Sequence, residues 1–159
     1  MRHTNSDTQK NKLFEIKLLA KSMVVDAVIL ARAGSKGIPK KNLIDFCGFP
    51  LIYWTIKQCL KSKNIGKVWV SSDGENILNY SQKLGCSTIK RPPELASDLS
   101  SSEDGWIHAV NYIEENENRK IESIIVPQVT SPLRKSDDFD NGIEIFFNEG
   151  LDSLFSCTT

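Results

Sequence analysis

"VVDAVILARAGSKGIPKKN", residues 24–42, runs from an apolar stretch rich in β-branched side chains straight into a loop of glycines and cations. The stretch VVDAVILA (24–31) predicts a buried strand, because branched side chains suit the pleat and almost every position is apolar. Behind it, Arg32, Lys36, Lys40 and Lys41 crowd into one loop with Gly34, Gly37 and Pro39. No overall charge excess accounts for them, since 20 basic side chains face 20 acidic ones. A cationic loop at the carboxyl end of a buried strand lies where open α/β sheets bind their ligands.

Outward from that strand the chain alternates. A helix is predicted over 50–62, with Pro50 near its start and Leu51, Trp54, Ile56 and Leu60 at helical spacing. A strand follows at 67–72, then a helix at 74–85 with Gly85 as its stop, and a short strand at 87–90. Helix 103–116 sets Trp106, Val110 and Ile113 on one face, and leads to strand 122–128, helix 136–150 and strand 152–157. This β-α-β order predicts an α/β, Rossmann-like fold: a mostly parallel sheet with helices on both faces. The expected site gathers the loops after the strands, namely 32–42, 72–75, 91–102 and 128–134.

The 159 residues, 40% hydrophobic and 25% charged, suit one soluble domain with a core. Balanced charge gives no global field to recruit nucleic acid or a membrane, and no apolar run is long enough to span one. Cys47, Cys59, Cys86 and Cys157 are scattered without C-x-x-C spacing, and His3 and His108 make no zinc pattern with them. They are expected to be idle thiols in a reducing cytoplasm, with no metal assigned. Residues 1–22 form an extension, expected to be disordered or one short helix over LFEIKLLAKS. Residues 23–159 are expected to form the α/β domain, with Met23 a candidate functional start.

The first loop carries neither G-x-x-x-x-G-K-[ST] nor G-x-G-x-x-G. Gly34 and Gly37 still let backbone amides bend around phosphate oxygens, with Arg32, Lys36 and Lys41 about them and Asn42 suited to a ribose hydroxyl or a phosphate. In RPPELASDLSSSED (91–104), Pro92 and Pro93 stiffen the chain beside Arg91. Ser100 and Glu103 fit a helix-capping box, and the same serines fit a ligand equally well. In PQVTSPLR (127–134), Gln128 ends a strand, while Arg134 either binds an anion or closes the loop. Asp73, in SSDG (71–74), is expected to cap a helix.

Taken together, ARAGSKGIPKKN, FPLIYWTI, VSSDGENI, RPPELASD and TSPLR resemble, in order, the CMP-sialic acid synthetases. These acylneuraminate cytidylyltransferases activate sialic acid and related nonulosonic acids. The resemblance runs from Met23 to the end. CMP-KDO synthetases fit less well, because their first loop ends in a different glycine-lysine-proline pattern. The resemblance implies a nucleotide-diphospho-sugar transferase type of fold and a cytoplasmic enzyme. Arg32, Lys36 and Lys41 would act on the phosphates of CTP as the catalytic cations. Asn42, Arg91, Ser100, Ser102 and Gln128 would join Arg32 in binding substrates.

Two departures, Ala33 where glycine is common and Val129 where proline is common, remove no charge. The resemblance also implies Mg²⁺, held by carboxylates that lie past the matched region in the family. Homodimerisation would come through a segment that is likewise absent here, so the chain is expected to be C-terminally truncated. The partners implied are CTP and a nonulosonic acid. Two alternatives stand: a truncated or degenerate homologue that binds CTP without turnover, or a non-catalytic interaction subunit.

Overall fold

The computed structural model describes residues 23–35, 37–135 and 137–157, so the 1–22 extension lies outside the described residues. Strand β1 (Val25–Leu30) is the centre of the sheet. It pairs in parallel with β4 (Ile65–Ser72) on one side and β6 (Ile124–Ile125) on the other, and β5 (Ser87–Lys90) pairs in parallel with the far edge of β4. The order is therefore β5-β4-β1-β6, all parallel. Alternate side chains of β1 divide the core. Val25, Ala27 and Ile29 meet α1 (Leu51–Lys61), α2 (Glu75–Lys83) and α4 (Asp138–Asn148) through Ile52, Ile56, Ile77, Phe139 and Ile143. Val28 faces the other way, with Trp69 and Ile89, onto Ala109 and Ile113 of α3 (Ser102–Glu117). Both faces of the sheet are covered, which is why β1 is apolar at nearly every position.

Two helix faces differ from the sequence expectation. On α1 the buried residues are Leu51, Ile52, Thr55, Ile56 and Cys59. Leu60 is exposed, and Trp54 turns sideways so that its Nε1 donates to Phe46 O at 2.8 Å. The helix carries more apolar side chains than one stripe can bury, so spacing alone cannot choose among them. On α3 the buried residues are Gly105, Ala109 and Ile113, one every four, rather than Trp106, Val110 and Ile113. A side chain at Gly105 would place its Cβ 2.8 Å from Leu30 Cδ1, so any larger residue there would have to push the end of that leucine aside. The stop at Gly85 is present, with Gly85 N donating to Gln82 O and Cys86 N to Ser81 O.

A hairpin absent from the sequence reading joins β2 (Asp45–Phe46) to β3 (Phe49–Pro50). Its two-residue turn has positive φ at both Cys47 (55°) and Gly48 (87°), a geometry that glycine accepts without strain. Strand 122–128 is only two residues long. Pro127 has no N–H to give a ladder, and Ile121 N donates to the Glu114 carboxylate at 2.9 Å instead. The expected last strand at 152–157 does not form. Among the described residues no strand follows α4, and Leu154 and Phe155 stand 45% and 85% exposed. A strand there would need a partner, and the short β6 offers almost no edge. Among the described residues no helix is long and apolar enough to cross a membrane.

Candidate functional site

The carboxyl ends of the strands open on a cavity of about 390 Å³, within the roughly 300–1,000 Å³ of small-molecule sites. The first loop contributes Arg32, Lys41 and Asn42 to it. The segment after β5 contributes Arg91, Ser100 and Ser102, and the segment after β6 contributes Gln128. These residues were expected together, and the fold brings them to one cavity. Lys36 lies outside the described residues.

The root of the cationic loop is tied down from two sides. Asp73, at the end of β4, accepts the Ala33 N–H at 2.8 Å. It does not cap α2, as expected from sequence; Gly74 holds that position, with no side-chain cap. The reason is proximity, since parallel pairing of β1 and β4 sets the two loops side by side. Asn42 is buried and donates from Nδ2 to Arg32 O at 2.9 Å. Lys40 adopts a left-handed conformation (φ 52°), and the 3₁₀ turn Lys41–Leu43 follows it.

Arg91 is the exceptional cation. Its backbone N–H extends the β4–β5 ladder by donating to Ser72 O at 2.9 Å. Its side chain is only 5% exposed, and Nε has no hydrogen-bond partner. Burial pushes the guanidinium below its ordinary pKa; the charge of Asp73 opposes this shift, while that of Arg32 adds to it. Burying a cation without a hydrogen-bonded counter-charge is costly, and an anion in the cavity would relieve that cost.

Ser100 does not form the capping box expected with Glu103. Ser101 is the N-cap of α3, its Oγ accepting the Asp104 N–H at 3.0 Å. Ser100 Oγ instead binds Glu94 O and lies 2.6 Å from Ser97 Oγ, which shapes the segment bordering the cavity. The choice left open at Arg134 falls to loop closure. Its Nη2 donates to Gln128 O at 2.6 Å, its Nη1 to Gln58 Oε1 at 3.2 Å, and its guanidinium lies 5.2 Å from the centre of the Phe139 ring. Gln58 Nε2 adds a bond to Pro132 O at 2.7 Å. Arg134 therefore holds the loop that carries Gln128.

Sequence reasoning missed two contributors and misassigned the role of a third. Trp106, with Leu30, Leu95 and Val126, gives the cavity an apolar wall. Its signal was its place one turn into the helix that follows the RPPELASD segment. Asp98 pairs with Arg32 at 2.8 Å, and Asp73 anchors the first loop. Both depend on contacts between loops distant in sequence. Among the described residues no three His, Cys, Asp or Glu side chains are grouped to hold a metal. With Asp98 on Arg32 and Asp73 on Ala33, the carboxylates near the cavity do not fit a Mg²⁺ site of their own.

Residues 27–158 match the family described as Cytidylyltransferase. The chain belongs to that family. The chain is 36% identical over 156 residues to N-acylneuraminate cytidylyltransferase A of Danio rerio, covering 97% of the chain and 33% of the relative. It is 34% identical over 131 residues to the N-acylneuraminate cytidylyltransferase of Streptococcus agalactiae serotype III (strain NEM316), covering 81% of the chain and 30% of that protein. It thus spans about a third of the length of these relatives.

Its fold is similar to a solved CMP:2-keto-3-deoxy-manno-octonic acid synthetase complexed with CTP, at TM-score 0.65 and 23% identity, covering 80% of this chain and 48% of that one. A cytidylyltransferase from Leptospira borgpetersenii is also similar, at TM-score 0.57 and 21% identity, covering 78% and 49%.

Proposed function

We propose that this cytidylyltransferase chain carries the nucleotide site of an enzyme that transfers CMP from CTP to a nonulosonic acid such as sialic acid, releasing pyrophosphate. The observation that carries the reading is Arg91: a buried guanidinium whose Nε lacks a partner, facing a cavity that Arg32 and Lys41 also line. The similarity to N-acylneuraminate cytidylyltransferases supports the acceptor class.

In this reaction the anomeric hydroxyl oxygen of the sugar attacks the α-phosphorus of CTP. The bond from that phosphorus to the bridging oxygen breaks, pyrophosphate leaves, and the hydroxyl proton goes to solvent. No covalent intermediate with the protein is needed; positioning and charge neutralisation carry the step. Arg32 and Lys41, with Lys36, hold the β- and γ-phosphates as charge builds on the leaving group. Arg91, Asn42, Ser100, Ser102 and Gln128, which line the same cavity, contact the rest of the nucleotide or the acceptor sugar.

The magnesium ion implied by the resemblance finds no carboxylate cage among the described residues, and no step here is routed through it. A homodimeric state belongs to the same reading of the complete enzyme. A cytoplasmic location suits four thiols that form no disulfide.

Calorimetric titration tests the reading. CTP should bind more tightly than ATP or GTP, and its affinity should fall as salt rises, because cations carry the contact. Equal affinities, or indifference to salt, would overturn it. A second reading is CTP binding without turnover by this chain alone, since Asp98 and Asp73 are already engaged by Arg32 and Ala33. A pyrophosphate-release assay with CTP, Mg²⁺ and a panel of nonulosonic acids separates the two.

A further inference from the structure

Arg32 reaches across the mouth of the cavity to the segment that follows β5. Its Nη1 donates to Asp98 Oδ1 at 2.8 Å and lies 3.4 Å from Ser97 O. Both side chains are partly exposed, at 38% and 41%, and both line the cavity. A guanidinium presents the same donor fork to a carboxylate as to a phosphate, so two anions compete for it. The contrast with Arg91 is direct: that cation is buried with its Nε unpartnered, whereas Arg32 already meets an anion from its own chain.

We propose that Asp98 is an internal competitor of the ligand's phosphates, occupying Arg32 until a polyphosphate displaces it. The idea rests on reading the cavity as an anion site, and it adds a residue that lowers affinity there. Two effects act in the same direction. The carboxylate takes one of the donors the phosphates need, and its charge repels them. Asp98 can yield because the segment around it is held by short-range bonds, Ser100 Oγ to Glu94 O and to Ser97 Oγ, while the neighbouring Leu99 is 99% exposed and packs on nothing. Arg32 keeps its place in either state, because Asn42 holds its carbonyl and Asp73 holds the next residue. Asp98 therefore makes occupation of Arg32 depend on the charge the ligand brings.

The test is calorimetric titration of the 159-residue chain with inorganic tripolyphosphate at low salt. Asp98→Asn and Asp98→Ala should each bind about two- to fivefold more tightly than the parent, the worth of a partly exposed ion pair. Their melting temperatures should stay close to the parent's. The gain should shrink in an Arg32→Ala background, where no guanidinium is left to release. If the parent binds tripolyphosphate and both single variants bind it equally or more weakly, Asp98 orients Arg32 rather than competing for it, and the proposal is overturned. A gain of the same size without Arg32 also overturns it. If neither the parent nor the Asp98 variants bind, the anion-site reading falls and takes this proposal with it.

Discussion

Replacing Arg91 by methionine should separate the cation's role in binding from its role in folding. Arg91 is 5% exposed, its Nε is unpartnered, and its Nη1 lies 3.4 Å from the point where a Cβ on Gly105 would sit. Methionine has a comparable reach, no charge and enough flexibility to fill the remaining space. An unpaired buried ion costs several kcal/mol after relaxation, part of which Asp73 offsets through its charge. The substitution should therefore raise stability by about 1 kcal/mol in the absence of ligand, which is about 2–4 °C in melting temperature for a domain of this size.

The ligand effect runs the other way. A hydrogen bond to a charged group contributes about 1.5–3 kcal/mol, so CTP affinity should fall about 10- to 150-fold, with a shallower salt dependence. Scanning calorimetry with and without CTP reads both quantities on one sample. A variant that melts well below the parent yet binds CTP as tightly would refute the reasoning, and would show that Arg91 is a packing residue.

Arg32→Ala should weaken CTP binding by about tenfold with little change in melting temperature, since a partly exposed ion pair adds little to stability; calorimetric titration checks the first and a thermal melt the second. Asp140 joins α4 to the end of α1 by accepting from Ser62 Oγ, Lys63 N and Asn64 N, and Asp140→Ala should cost about 1–2 kcal/mol in urea denaturation. Desolvation raises the pKa of Asp140, but the donors of Ser62, Asn64 and Lys63 outweigh it and hold the carboxyl below its ordinary 3.8. Its stabilisation is therefore complete above the unfolded value and is lost as pH falls through the folded one, so the parent should lose more stability than the variant on acidification below about pH 4. Asp26 is buried and accepts from Trp69 Nε1 at 2.9 Å and from Arg119. Asp26→Ala should cost about 1–3 kcal/mol by leaving the indole N–H unpartnered, again measured by urea denaturation.

What was legible in the sequence was what depends on short spans. VVDAVIL is apolar on both sides of the pleat, so β1 had to be a central strand, and STIK lies between a helix stop and a proline pair. The loops carrying Arg32, Lys41, Asn42, Arg91 and Gln128 could be assigned to one end of the sheet because parallel strands put all their carboxyl ends together. Contacts across that end could not be read. Whether Asp73 caps its own helix or holds Ala33 depends on the register of β1 against β4, and Arg134 closes its loop with help from Gln58 on a different element. The hairpin at Cys47–Gly48 was visible only as a single glycine. The last segment fails as a strand because pairing belongs to the neighbour as much as to the segment, and β6 offers it two residues.

The two tethers at the root of the cationic loop have a kinetic meaning. Asp73 on Ala33 and Asn42 on Arg32 fix the backbone where the strand opens, at the time the domain folds. A nucleotide arriving there does not have to order that backbone, so the associated loss of conformational freedom, about 1–2 kcal/mol per residue, falls outside the binding step. Association should accordingly be fast and sensitive to ionic strength, as for a charged ligand meeting a preformed site, and differences in affinity among variants that keep the tethers should appear in the dissociation rate.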